Sequence, residues 1–434
     1  TLPAVPPGQI DALADTSITD VVAGWDENLY SGYLLNPSRG QGQPTLSDDE
    51  YFLISSNSSE QIHVEEGGLS SVAETGDSFN GIFIFNRLEL RGKAYVETTA
   101  EVLVSGHGGG VMMDNSTFTA PHLEISGGAQ RLEANDSTVN IESGALDLDG
   151  DLALSGDSDF FLAEGGLKVA SAVLIAGSTV VEQGEGAVDI GGDFSLAGTS
   201  QFVQGGSAVT VVGDVHLAAG TEITCTTSSE DSPGKVNITA NNLTISTGAT
   251  IDVSSKGYPA KTWWGFQNWP ETNYFGASHG GMGGRQSTAT NTNPVYGNLY
   301  DPDTLGPGGS YGTGGGIVRL NVADALTIDG HIRANAQTNS GSGAGGSVSV
   351  RADIITGQGS IEANGGSYTS TNQCGGSGGR IALLNYSLLG GSFDPDNIAN
   401  DSFGVEAIGG SGYSTRAGSA GTIFLKGKTQ QWGR

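Results

Sequence analysis

The stretch Leu146–Leu217, LDLDGDLALSGDSDFFLAEGGLKVASAVLIAGSTVVEQGEGAVDIGGDFSLAGTSQFVQGGSAVTVVGDVHL, decides the fold. Its apolar residues return every 21 positions. Leu146, Leu167, Val188 and Val209 form one column, and Leu148, Val169, Ile190 and Val211 another. Leu152, Val173, Phe194 and Val215 form a third, with Leu154, Ile175, Leu196 and Leu217 beside it. Val139, Phe160, Val181 and Phe202 keep the same step, as do the hydroxyls of Ser137, Ser158, Thr179 and Ser200. Turn formers fall in register at Gly150, Ser171, Gly192 and Gly213.

Each repeat thus carries three short apolar pieces of alternating pattern, separated by small residues. One such unit cannot bury its own apolar side chains. Stacked units can, because each strand pairs with its equivalent in the next coil about 4.8 Å away. The pattern predicts an all-β, parallel β-helix (a solenoid) of about 21 residues per coil. A leucine-rich repeat has a similar period, but its consensus asparagine and helical segment are missing.

Working outward, residues 1–80 are irregular and read as an N-terminal cap, since an open solenoid end is an exposed sheet edge. Regular coils are expected over 81–254, an aromatic and Gly-rich insertion over 255–315, and Gly-rich coils over 316–434. In the last region the apolar cores start at Ile317, Val348 and Ile381, and the strand from Val236 reads the same way. Loops leaving after Lys256, Asn335 and Asn364 should pile up on one flank.

The run GG-x-[IV]-x-[LV]…G-x-I-x-A-N-G-G…GG-x-GG-R-I, across residues 236–425, resembles the glycine-rich β-helical segments of large secreted exoproteins and adhesins. The resemblance implies right-handed winding and a surface or matrix role. It implies nothing about activity.

Composition narrows the partners. The formal net charge is −29, which argues against nucleic acid and anionic membranes, since both call for basic patches. No apolar run reaches membrane-spanning length. The opening TLPAVPPGQ reads as a mature or trimmed end. Cys225 and Cys374 form no metal-spacing motif, and a disulfide between them is left open. Sequons stand at Asn57, Asn115, Asn135, Asn237, Asn242, Asn385 and Asn400, each a candidate for glycosylation in a secreted chain.

Three kinds of chemistry are candidates. Trp263, Trp264, Trp269, Tyr258 and Tyr274 in the insertion offer flat apolar faces with polar edges, suited to stacking on sugars, with His279 beside them. The competing reading is that these rings brace the flank, and that His279 is a loop hydrogen-bonder. Asp151, Asp193 and Asp214 share one column, and carboxylates one strand spacing apart repel unless a cation such as Ca²⁺ intervenes. A solvated acidic turn explains them as well, and Asp301 and Asp303 are a weaker pair of the same kind. For catalysis, Arg319, Arg333, Arg351 and Arg380 beside coil strands could line a lyase groove or balance local acids. No nucleophile elbow, HExxH or P-loop occurs.

The expectation is therefore a non-catalytic extracellular or cell-surface structural or adhesive protein, with Ca²⁺ as its candidate cofactor. It would be a filament, matrix or surface-layer subunit that self-associates end to end or laterally, or holds a surface polysaccharide. The alternative is a polysaccharide lyase, a glycosidase or a carbohydrate-binding module using the 255–315 flank.

Overall fold

The computed structural model describes residues 5–6, 8–39, 51–85, 87–105, 110–126, 131–229, 233–263, 267–268, 275–285, 292–337, 342–368, 373–400 and 402–431. The chain is nearly all β and is built as a right-handed parallel β-helix. It divides into two compact units, Thr1–Ala172 and Val173–Arg434. No helix among the described residues is long and apolar enough to cross a membrane.

In the first unit, three strands per coil feed three parallel sheets. One coil runs through Glu101–Ser105, Gly110–Asp114 and Thr117–Ala120, and its strands pair in parallel with those of the next coil. Alternation decides which side chains go inside. Phe118, Val139 and Phe160 pair in one inward column and are essentially fully buried. Each such side chain contributes about 1.5–3 kcal/mol by leaving water.

The first coil begins at the strand Ser78–Phe85. On one side this strand pairs in parallel with Glu101–Ser105. Along its opposite edge it takes the antiparallel strand Leu34–Arg39, and Gly8–Gln9 pairs antiparallel with its first residues, Ser78 and Phe79, on the same edge as Glu101–Ser105. The edge that would template aggregation is thereby filled. Behind it lies a separate apolar cluster of Ile10, Ile18, Trp25, Leu35, Ile54, Ile62 and Phe79. Trp25 meets Phe79 edge-on at 5.8 Å between ring centres.

The second unit repeats the coil. Val188 pairs with Val209, Phe194 with Val215, and Phe202 with Ile223. Phe194 and Phe202 meet inside at 5.4 Å, nearly perpendicular. Val236 pairs directly with Val318, so the insertion is a loop between two consecutive coils. Cys225 and Cys374 are both buried and free. Burial pushes the Cys225 thiol up to about 12.

One sequence alignment is off by a residue. Val348 pairs with Val318, not Ile317, and Ile317 pairs with Ser347. Ile317 points outward, yet it is only 3% exposed. Where a sheet is covered on both faces, an apolar run no longer tells which residue faces the core.

Candidate functional site

The glycine-rich flank of the second unit is built from loops that leave their coils at stacked positions. The Oγ of Ser254 accepts from Asn335 N at 3.2 Å. Asn335 Oδ1 accepts from Asn364 N, and Asn364 Oδ1 from Ile408 N, both at 2.7 Å. Each side chain thus caps the backbone of the next coil where its loop departs. The loops return at a second ladder. Gly316, Gly346, Gly379 and Gly421 donate N–H to the carbonyls of Val253, Ala334, Ala363 and Ala407 at 2.7–2.8 Å.

Close approach explains the glycines here. A Cβ at Gly379 would strike Gly346 O, and one at Gly421 would strike Gly379 O. A parallel column runs through Gly343, Gly376 and Gly418 with the same consequence. The flank is therefore a main-chain layer, with backbone packed on backbone.

His279 sits inside that layer at 0% exposure. Its Nδ1 lies 2.7 Å from Gly345 O and its Nε2 2.9 Å from Thr304 Oγ1. Burial, with some help from the Arg380 charge, pushes its pKa down to about 4 against the opposing hydrogen bond to Gly345, so the ring is neutral at pH 7. Arg380 is 6% exposed. It donates from Nε to Tyr296 O at 2.8 Å and from Nη2 to His279 O at 3.3 Å. These two side chains staple the insertion to the last coils. A sealed ring offers no face to a sugar, so the contact expected of His279 has no surface on which to form.

Residues 292–305 cross the outer face of the sheet that holds the strands Ile317–Val322 and Ser347–Arg351. Asp301 binds Arg319 at 3.1 Å, Arg351 at 2.9 Å and the Ser349 hydroxyl at 2.9 Å. Burial works to raise the Asp301 pKa, but the bonds from Arg319 and Ser349 and both arginine charges outweigh it and hold the carboxyl low. Arg333 lies 3.7 Å from Glu362. The four arginines considered for a lyase groove are thus engaged with the protein's own groups.

A serine, a histidine and an acid do meet on the paired strands His331–Arg333 and Ser360–Glu362. Ser360 Oγ is 2.8 Å from His331 Nδ1 and 2.7 Å from Glu362 Oε1. In a nucleophilic triad the acid holds the far nitrogen of the histidine. Here the acid takes the serine hydroxyl itself. Burial tends to raise the Glu362 pKa, but bonds from Ser360 and Asn335 and the Arg333 charge keep it lowered, so Glu362 is a carboxylate that draws the hydroxyl proton.

Of the aromatic residues singled out in the insertion, Trp264, Trp269 and Tyr274 lie outside the described residues, as does the side chain of Trp263. The backbone of Thr262–Trp263 pairs antiparallel with Gln267–Asn268. It leaves the flank beside Gly309, whose carbonyl accepts from Lys261 N at 2.7 Å.

Next to that point stand aromatic residues the sequence reading passed over. The Tyr311 and Tyr368 rings stack at 6.0 Å and 22°. Tyr311 is 48% exposed, and Tyr413, on the following loop, is 42% exposed. The Arg416 guanidinium lies 5.9 Å from the centre of the Tyr413 ring, within cation–π range. The signal was present in the sequence as Gly-Gly-Ser-Tyr at 308–311 and 365–368 and Gly-Ser-Gly-Tyr at 410–413.

The aspartate column has a backbone role. In the first unit Asp151 Oδ1 accepts from Ala172 N at 3.0 Å. In the second, Asp193 Oδ1 accepts from Asp214 N at 2.9 Å. Asp214 Oδ1 then accepts from Asn242 Nδ2 at 2.8 Å and Asn241 Nδ2 at 3.0 Å. The bonds from Asn242 and Asn241 hold its carboxyl below the usual range. Among the described residues no three of His, Cys, Asp and Glu converge on a metal position.

The sequons separate by environment. Asn57 is 2% exposed and its amide donates to Asp26 O and Ser58 O, which leaves no room for a glycan. Asn242 is bound into the Asp214 ladder, and Asn237 is half-buried in a strand. Asn135 is exposed with its amide bonded to Asp114 and Asp136. Asn115 and Asn385 are exposed in left-handed turns at φ 49° and 63°. The Asn400 side chain lies outside the described residues.

No family model, no curated protein and no solved structure matches this chain.

Proposed function

We propose that this chain is a non-catalytic extracellular β-helix of adhesive or matrix type, and that its glycine-rich flank holds a polysaccharide. The observation that carries this reading is the stacked pair Tyr311 and Tyr368, with Tyr413 exposed on the next loop. Flat phenol rings with polar rims suit sugar faces. Their spacing comes from the coil repeat, so a linear polymer lying across the coils meets one ring after another. The glycine layer beneath keeps the loops rigid, which lowers the ordering cost of binding.

The arrangement around Ser360 favours a structural role over turnover, and Arg319 and Arg351 are paired with Asp301. The test is a binding panel of plant, algal and bacterial polysaccharides, read by affinity electrophoresis and by release of reducing or unsaturated ends. Binding without turnover, weakened at least about tenfold by Tyr311→Ala with Tyr368→Ala, is the expected result; losing one stacked ring is worth about 1 kcal/mol. Released ends that vanish in Glu362→Gln would instead establish an enzyme. Self-association is a separate property, read by electron microscopy at high protein concentration.

A further inference from the structure

We infer that Tyr311 and Tyr368 are a site of oxidative cross-linking, at which a one-electron oxidant joins the two rings as a dityrosine. The inference stands on the geometry of the pair and does not depend on sugar binding. The ring centres lie 6.0 Å apart and the planes differ by 22°. Tyr311 is 48% exposed and Tyr368 is half-buried, so an oxidant reaches the pair from solvent. The backbones beneath are held. Ser310 N donates to Ser342 Oγ at 2.8 Å, and Tyr368 N donates to Ser411 O at 2.8 Å. The phenols thus stay together, while exposed rings still turn about their side-chain bonds on the picosecond to nanosecond scale. Two radicals formed on neighbours held this way combine far faster than two that must meet by diffusion.

The step balances with hydrogen peroxide as oxidant, delivered by a haem peroxidase. Each phenol gives up one electron and one proton and becomes a phenoxyl radical. A carbon–carbon bond forms between the ring positions beside the two hydroxyls. The hydrogens on those carbons move to the oxygens and restore both phenols. The peroxide O–O bond breaks, takes up the two electrons and two protons, and leaves as two waters. Other exposed tyrosines have different neighbours. Tyr300 rests edge-on against Phe424 at 5.0 Å, Tyr95 donates to Glu97 at 2.8 Å, and Tyr413 carries the Arg416 guanidinium over its ring. Both cysteines are buried, which keeps their thiols out of the reaction. The product ties the 255–315 insertion covalently to the loop after Asn364. A link of that span restricts the unfolded chain as a disulfide does.

The experiment treats the whole chain, at low protein concentration, with a haem peroxidase and limiting hydrogen peroxide. Dityrosine fluorescence, denaturing electrophoresis and mass spectrometry of the digest read the product. The expected product is a monomer whose peptides holding Tyr311 and Tyr368 are joined with the loss of two hydrogens. It should form at least about tenfold faster than in the urea-unfolded chain. Tyr368→Phe keeps the ring and should abolish that product at an unchanged melting temperature. The cross-linked protein should need more urea to unfold than the untreated one. Fluorescence undiminished in Tyr368→Phe, links at Tyr95, Tyr300 and Tyr413 as frequent as at this pair, or a rate equal to that in urea would each overturn the inference. So would a product made only of covalent dimers, or no dityrosine while free tyrosine in the same tube couples. Polysaccharide binding by the unoxidised protein is untouched by any of these results, so the two readings fail separately.

Discussion

Two regions of the second unit follow the same coil by different means. Residues 173–254 are held by inward aliphatic and aromatic columns, with one solvated side chain per three-residue strand and short turns capped by Asp193 and Asp214. Residues 316–427 keep that inner core and add an outer layer in which glycine backbones pack on one another. The first region resists change at its inward side chains and tolerates it outside. The second is also intolerant where nothing but backbone is present. That rigidity is what lets a loop surface present side chains at fixed spacing.

The sharpest way to break this contrast is Gly379→Val. Its side chain would meet Gly346 backbone, and the expected loss exceeds about 4 kcal/mol in the unfolding transition of the second unit, measured by urea denaturation. The matched change Ser195→Val, on an outward strand position of the regular coils, should shift it by less than about 0.5 kcal/mol. Comparable losses for the two would show that the glycine layer is not packed as described.

Acid should separate the regions next. His279 titrates near 4 when folded and near 6.5 when unfolded, so below pH ~6.5 the unfolded chain binds the extra proton. Its contribution is complete above that value and falls away by up to about 3 kcal/mol as the pH drops towards 4. Subtracting the urea midpoints of His279→Gln from those of the unmodified protein across pH 4–7.5 isolates the effect. A difference that does not vary with pH would place the ring in water.

A smaller effect is expected at the regular turns. Asp214→Ala removes bonds to Asn241 and Asn242 and should cost about 1 kcal/mol. Because the Asp214 pKa is lowered on folding, this stability is present above the ordinary carboxylate range and disappears as pH falls through the folded value. EDTA should leave the melting temperature unchanged if the column acts only as a cap. A fall on chelation, restored by Ca²⁺, would establish the cation expected from the sequence. Smallest of all, Tyr311→Ala should change stability by less than about 0.5 kcal/mol while weakening polymer binding, separating a surface ring from a bracing one.

Much of the fold was legible because a coil repeats its own hydrophobic pattern. Phe202 and Ile223 pair where the 21-residue step places them. The stacking of loops after Asn335 and Asn364 was legible too, from the recurrence of Ile-x-Ala-Asn at 332–335 and 361–364. The candidate site was less so. Attention fell on tryptophans because they are conspicuous, while Tyr311, Tyr368 and Tyr413 are single residues in loops of unequal length, which a fixed period does not align. His279 read as a loop hydrogen-bonder or a sugar contact, but its burial was not legible, since that depends on Ser377 and Arg380 about a hundred residues away.

By itself the sequence determined the period, the three-strand coil and which side chains of the regular strands point inward, because these follow from local alternation and from pairing between neighbouring repeats. Only the tertiary structure decided that Val318 rather than Ile317 faces the core, that His279 is sealed, and that two tyrosines 57 positions apart share a stack. Each depends on a loop folding back over coils distant in sequence, and no periodic pattern records where such a loop lands.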